Sequence, residues 1–113
     1  MTGSFNESIE FQMREVFDDP EGVRLVLSGE LDLAVAGMLG DRLRMLRREG
    51  HAVRLDLAGL EFIDSSGLRE LIKALSEARS DGWQLDVDPH LTDPVRRAVE
   101  LAGLQPHLWP SGG

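Results

Sequence analysis

Apolar residues recur at two different spacings that alternate along this chain, and no other feature restricts its fold as strongly. Every second residue is apolar in four segments, at residues 9–13, 23–27, 53–57 and 83–87. This spacing is typical of β-strands that bury one face. After the second, third and fourth segments the spacing changes to the three and four residues of an amphipathic helix. Helices that alternate with strands imply crossover connections, so the sequence predicts an α/β domain with a partly parallel sheet.

The three predicted helices have recognisable boundaries. The first covers residues 33–48, and Gly50 terminates it. The second follows the sequence DSSG and ends near residues 80–82. The third has Asp93 as its N-cap, a proline at its first helical position, and Gly103 at its end. These helices are predicted to serve as crossover connections and to cover at least one face of the sheet.

Turn sequences place the strands relative to one another. The sequence DDPEG, at residues 18–22, joins the first two strands and predicts an antiparallel hairpin at one edge of the sheet. A second turn is predicted at Ala58 and Gly59, before a short apolar run that leads into the second helix. The sequence LQPHLWP, which follows the third helix, is predicted to be short and extended. The expected architecture is a mixed, mostly parallel sheet with an N-terminal antiparallel hairpin.

Size, charge and residue usage exclude several classes of protein. A chain of 113 residues favours one domain, placed at residues 9–109 between a flexible N-terminus (1–8) and a flexible tail (110–113). The net charge of −8 argues against nucleic acid and suits a protein partner with a basic face, although on composition alone the simpler explanation is that the charge maintains solubility. Without cysteine there is no disulfide and no thiolate metal site. Neither a signal peptide nor an apolar run of about 20 residues is visible, so a cytoplasmic protein without a membrane span is expected.

The sequence EFIDSSGLREL, at residues 61–71, places an acid, two hydroxyls and a glycine between two apolar stretches. It lies where a strand ends and a helix begins, which is where functional groups collect in open α/β sheets. Asp64, Ser65 or Ser66 can cap the helix, and Gly67 permits close approach to the backbone. One cap is enough, so the other polar residues need a further explanation. A phosphate on a serine here would be held by free N–H groups and the helix dipole, and its charge would expel a docked protein.

Other chemistries have weaker support from the sequence. A site for a free anion or nucleotide lacks the glycine and lysine pattern of a phosphate-binding loop. A serine nucleophile needs a base, but His51 lies in a predicted turn, His90 in a loop and His107 near the tail, and the G-x-S-x-G pattern is missing. The aspartates do not have the spacing of a cation-binding loop. No catalytic residue, cofactor or metal site is therefore predicted, and helix capping alone remains the alternative to phosphorylation.

Three blocks of the sequence resemble a known family. LSGELDL (27–33), VRLDLAGLEFIDSSGLRELIKAL (53–75) and PVRRAVELAGL (94–104) are similar to the STAS domain, and more narrowly to the stand-alone anti-anti-sigma factors of bacteria. The similarity covers roughly residues 9–109 in order. The G-E-L-D and D-S-S-G-L blocks are specific only in combination. The resemblance implies a single STAS-like α/β domain.

The resemblance also implies a function and the residues that carry it. Members of the family bind an anti-sigma factor that is a serine kinase and thereby release a sigma factor. The kinase phosphorylates a serine of the D-S-S-G block, which ends the binding, and a PP2C-type phosphatase restores it. The matching acceptor here is Ser65, with Ser66 as the runner-up. The implied partner interface contains these residues: Asp32, Asp64, Ser66, Gly67, and, on an exposed first helical turn, Leu68 and Arg69.

The sequence leaves two other functions open. STAS domains also act as subunits of lipid or anion transport complexes, where they are protein-interaction modules. A nucleotide-binding or enzymatic domain is the third class, and the residues give it little support.

Overall fold

The computed structural model describes residues 10–17 and 22–110. Within these ranges, one sheet has the strand order β1 (Gln12–Phe17), β2 (Gly22–Leu31), β3 (Ala52–Ile63) and β4 (Leu85–Val87). β1 is antiparallel to β2, whereas β2, β3 and β4 are mutually parallel. The predicted mixed sheet with an antiparallel N-terminal hairpin is confirmed.

Helices connect the parallel strands as the alternation of spacings predicts. The described helices are α1 (Leu33–Arg48), α2 (Ser65–Asp81), α3 (Asp93–Leu101) and the single turn α4 (Gln105–Leu108). α1 links β2 to β3, and α2 links β3 to β4, so these two helices are the crossover connections. Their order along the chain is the predicted one, with α4 added.

The core lies on one face of the sheet. Alternate residues of β2 are buried, among them Leu25 and Leu27, and α1, α2 and α3 contribute their buried residues to the same cluster. The opposite face of β2 and β3 carries partly or fully exposed side chains, including Arg24 and Asp56, which form an ion pair with an N–O distance of 3.7 Å. The helices therefore cover one face, and the alternating pattern of β2 follows directly from this arrangement.

β3 does not turn at Ala58 and Gly59, and this prediction is wrong. The strand continues to Ile63, and its register with β2 shifts between Val26 and Ser28 and again between Gly29 and Glu30. An extra residue in a strand can be accommodated as a bulge, which disrupts the hydrogen-bond ladder locally while the two strands continue to pair on either side of it. The turn-like dipeptide Ala58-Gly59 marks this irregularity.

Two further segments differ from the prediction. Trp83 lies before β4 and is not part of the strand. Its backbone N–H donates to the Ala78 carbonyl near the end of α2, and its indole N–H donates to the His51 carbonyl at 2.7 Å. The segment LQPHLWP contains the helical turn α4 where a short extended segment was predicted. The Leu104 carbonyl accepts N–H groups from the third and fourth residues after it, which closes that turn locally.

The start of α3 also differs from the prediction by one residue. Thr92 is the N-cap and Asp93 the first helical residue, but the Thr92 hydroxyl makes no capping bond. It donates instead to the Leu60 carbonyl of β3 at 2.7 Å, which ties the helix start to the sheet. The predicted flexible N-terminus (1–8), the first strand residue Ile9, the turn residues 18–21 and the tail residues 111–113 lie outside the described residues.

Candidate functional site

Two parallel strands end side by side at one edge of the sheet, and each is followed by an aspartate. β2 ends at Leu31 before Asp32, and β3 ends at Ile63 before Asp64. The Asp64 N–H donates to the Leu31 carbonyl at 3.1 Å, which joins the two strand ends. The N-termini of α1 and α2 are therefore neighbours, as expected for successive crossover helices of a parallel sheet.

Asp64 caps both helices. Its Oδ1 accepts the N–H of Gly67 in α2 at 3.0 Å, and its Oδ2 accepts the N–H of Leu33 in α1 at 3.1 Å. Asp32 completes the start of α1, since its Oδ1 accepts the N–H of Ala34 at 3.0 Å. The structure thus assigns the capping role in the DSSG sequence to Asp64, with an additional role at α1 that the sequence does not show.

The first turn of α2 keeps two backbone donors free after Asp64 has capped it. Among the described residues, the N–H groups of Ser65 and Ser66 have no hydrogen-bond partner. The Ser65 side chain is exposed, and Ser66 is half-buried. Neither serine is needed as the cap, so an accessible hydroxyl and two N–H groups remain available for another purpose.

Gly67 and Leu68 face the core, and the prediction that Leu68 lies on an exposed turn is wrong. Leu68 is only 8% exposed because it packs in the hydrophobic cluster. Gly67 is buried, and a Cβ atom there would lie 2.8 Å from Leu31 Cγ and 2.9 Å from Ile63 Cγ1. The strands approach the backbone closely at Gly67, which is the use of glycine that the sequence suggests. Arg69 is exposed.

An exposed apolar surface near this edge of the sheet was not predicted from the sequence. Leu33, the first residue of α1, is 75% exposed, and its N–H binds the Asp64 carboxylate. Met38, further along α1, is also exposed. The run LAVAGML contains more apolar residues than one buried helix face needs, and this excess is the signal that indicates an exposed apolar surface.

A comparison of the two caps tests the double role of Asp64. We expect Asp64→Ala to lower the free energy of unfolding by about 2 kcal/mol and Asp32→Ala by about 1 kcal/mol, because an N-cap contributes about 1 kcal/mol for each helix it serves. Urea unfolding followed by circular dichroism measures both values. Equal losses in the two variants would contradict the double cap.

A third aspartate, Asp88, follows β4. The hydrogen bond from the His90 side chain, with help from the His90 backbone N–H and Arg54, lowers the pKa of Asp88 to about 2. The two bonds from His90 close a local turn before α3, whereas the bond from Arg54 links Asp88 to β3. In residues 10–17 and 22–110, no group of three or more His, Asp or Glu side chains is arranged to hold a metal ion.

None of the helices in the described ranges has the length and apolar character needed to cross a membrane.

Comparisons with known proteins agree on the type of domain. A family model described as "Mlab, STAS domain" matches residues 16–109. The anti-sigma-B factor antagonist of Listeria monocytogenes is 30% identical over 100 residues, which is 88% of this chain and 83% of that protein.

Solved structures share the fold at lower sequence identity. The anti-sigma factor antagonist SpoIIAA in its unphosphorylated form is 21% identical, with a TM-score of 0.68 over 86% of this chain and 84% of the other. SpoIIAA from Bacillus is also known in a phosphorylated form, with a TM-score of 0.62, 21% identity and 86% coverage of both chains. The murine anion transporter Slc26a9 is 14% identical, with a TM-score of 0.57, over 86% of this chain but only 19% of the transporter.

Proposed function

The chain belongs to the STAS domain family, and on this premise we propose that it is an anti-sigma factor antagonist whose partner binding is switched off by phosphorylation of Ser65. The antagonist binds an anti-sigma factor that has serine-kinase activity and so releases a sigma factor. A PP2C-type phosphatase removes the phosphate. The protein acts in the cytoplasm, where ATP and the transcription machinery are available. Its relationship to the Listeria antagonist supports this assignment.

The hydrogen bonding and exposure of the α2 N-terminus support Ser65 as the phosphate acceptor. Asp64 already caps the helix, whereas the N–H groups of Ser65 and Ser66 have no hydrogen-bond partner among the described residues and the Ser65 side chain is exposed. A phosphate on Ser65 can accept these N–H groups and interact favourably with the helix dipole. The fold can therefore tolerate the modification. Ser66 is the less suitable acceptor, because its side chain is half-buried.

Phosphorylation would act on the surface around Ser65 and leave the core unchanged. It adds about −1.5 to −2 charges and a hydrated anion. The neighbouring surface includes exposed Leu33 and Arg69 and the carboxylates of Asp32 and Asp64. A partner that buries Leu33 against its own apolar residues would have to desolvate the phosphate, which is energetically costly. Loss of binding on phosphorylation follows from this cost.

Intact-mass spectrometry tests the proposed function. The protein is mixed with candidate anti-sigma kinases from the same organism and ATP, and the modified residue is mapped by fragmentation. We expect the mass of one phosphate to be added, located on Ser65. The absence of any mass increase with every candidate kinase would contradict the proposed function.

A second candidate function is a STAS subunit of a lipid or anion transport complex, which would bind its partners as an interaction module. The match to the "Mlab, STAS domain" family model and the shared fold with Slc26a9 favour it. Affinity purification distinguishes the two functions. Recovery of a transporter ATPase subunit, without an anti-sigma kinase, would support the transport function.

A further inference from the structure

A groove of about 540 Å³ runs along α2 from the candidate acceptor serine. On α2 it is lined by residues three or four positions apart, which share one helix face: Ser65, Leu68, Arg69, Ile72, Lys73 and Ser76. Ala102 and Leu104, which follow α3, also line it. The stretch of α2 from Ser65 to Ser76 is about 16 Å long, since a helix rises about 1.5 Å per residue.

The groove combines apolar and cationic residues in a protein whose net charge is −8. Leu68, Ile72 and Leu104 provide buried or half-buried apolar surface, whereas Arg69 and Lys73 are exposed and are the two charged residues that line the groove. Within residues 10–17 and 22–110, neither cation forms an ion pair. The charged residues that line this groove are therefore opposite in sign to the net charge of the whole protein.

We propose that this groove binds an amphipathic helix of the protein partner that carries acidic residues beside its apolar stripe. A helix of about 11 residues has the length of the groove, and an apolar stripe at helical spacing can cover Ile72 and Leu104, which are half-buried. Acidic residues that flank the stripe would pair with Arg69 and Lys73. This inference rests on the proposed function, because it specifies which part of the partner is recognised.

The position of Ser65 at one end of the groove couples the helix binding to phosphorylation. Arg69 is four residues after Ser65 on α2, so a phosphate on Ser65 lies within reach of its guanidinium. The phosphate would pair with the Arg69 guanidinium, which would then no longer be available to the partner's acidic residue. It would also repel that acidic residue directly. Modification of Ser65 thus removes the charge complementarity of the groove.

Two synthetic helical peptides of about 12 residues test the proposal. They share one apolar stripe, but acidic residues flank it in the first peptide and lysines in the second. We expect fluorescence anisotropy to show that the acidic peptide binds the full chain about tenfold more tightly than the basic one, with weaker binding at high salt. In the R69E/K73E variant this preference should reverse.

R48E/R97E is the matched control. Arg48 and Arg97 are exposed, lie outside the groove and form no ion pair within the described ranges. The control changes the net charge by the same amount as R69E/K73E. It should therefore keep the preference for the acidic peptide.

Lys73 is the only lysine of the sequence, which allows the contact to be mapped. A carbodiimide activates a carboxylate of an N-acetylated acidic peptide, and the Lys73 amine attacks it. An amide forms, and the carbodiimide leaves as its urea. We expect peptide mapping to find this amide at Lys73. Lys73→Arg should keep the binding of the peptide and lose the cross-link.

Equal binding of the two peptides, no binding of either, or an equal loss in R69E/K73E and R48E/R97E would overturn the groove proposal. The proposed function and the groove proposal can be contradicted independently of each other. If a kinase phosphorylates Ser65 and still binds R69E/K73E with unchanged affinity, the function stands and the groove proposal is wrong. If no kinase modifies the chain but the acidic peptide cross-links to Lys73, the groove proposal stands alone.

Discussion

Replacement of Ser65 by alanine should abolish phosphate transfer from the partner kinase while the variant still binds that kinase. The Ser65 hydroxyl is exposed, and Asp64 provides the cap of α2, so the fold does not depend on the hydroxyl. We expect the free energy of unfolding to change by no more than about 0.5 kcal/mol, as for other surface substitutions. Intact-mass spectrometry after incubation with kinase and ATP measures the transfer, and isothermal titration calorimetry measures the binding.

Ser66→Ala is the matched control for this experiment. It removes the neighbouring hydroxyl, which is half-buried, and should leave the addition of one phosphate unchanged. Phosphorylation of Ser65→Ala at the rate of the unmodified chain would show that Ser65 is not the acceptor. Loss of phosphate transfer in Ser66→Ala alone would identify Ser66 as the acceptor.

Replacement of Gly67 by valine should destabilise the fold by about 3 kcal/mol or more, because it overpacks a closed contact in the core. A Cβ atom at this position would lie 2.8 Å from both the Leu31 side chain and the Leu31 carbonyl oxygen, and 2.9 Å from Ile63. The first turn of α2 would have to move away from β2 and β3. Thermal and urea unfolding followed by circular dichroism measure the loss.

Gly37→Val in α1 separates this steric effect from helix propensity. Gly37 is exposed, and apart from its chain neighbours and the backbone of its own helix a Cβ atom there would have no atom of the described residues within 4 Å. Glycine and valine differ by only a few tenths of a kcal/mol in helix propensity, so the free energy of unfolding should stay within about 0.5 kcal/mol. A similar loss in both variants would mean that Gly67 is not tightly packed.

The elements of the fold could be predicted from local spacing. α1 begins at Leu33 and ends at Arg48, and both bounds agree with the prediction because the apolar face and the terminating glycine are local signals. The DSSG sequence was correctly placed between a strand and a helix for the same reason. The prediction was wrong where a contact between residues far apart in the sequence decides the conformation. Trp83 is an example, because its indole N–H donates to the carbonyl of His51.

The candidate site was predicted in part. The sequence places Asp64, Ser65 and Ser66 at a helix start, and the structure adds that Asp64 is the cap. The helical spacing of Leu68, Leu71 and Leu75 already places Leu68 on the apolar face of α2, and only the family resemblance suggested that it is exposed, whereas the exposure of Leu33 had no signal of its own. Only the packing of α1 against the sheet decides that Leu33 is exposed.

The sequence alone determined the alternation of strands and helices, the surplus of polar residues at the start of α2, and the acidic net charge, because these depend on neighbouring residues or on composition. The tertiary structure decided which of those polar groups stay free. The Asp64 carboxylate reaches Leu33, 31 residues earlier in the chain, and the groove beside Ser65 closes against residues that follow α3. The contact between Asp64 and Leu33 exists only after β2 and β3 pair in parallel, since this pairing brings the starts of α1 and α2 together at one edge of the sheet.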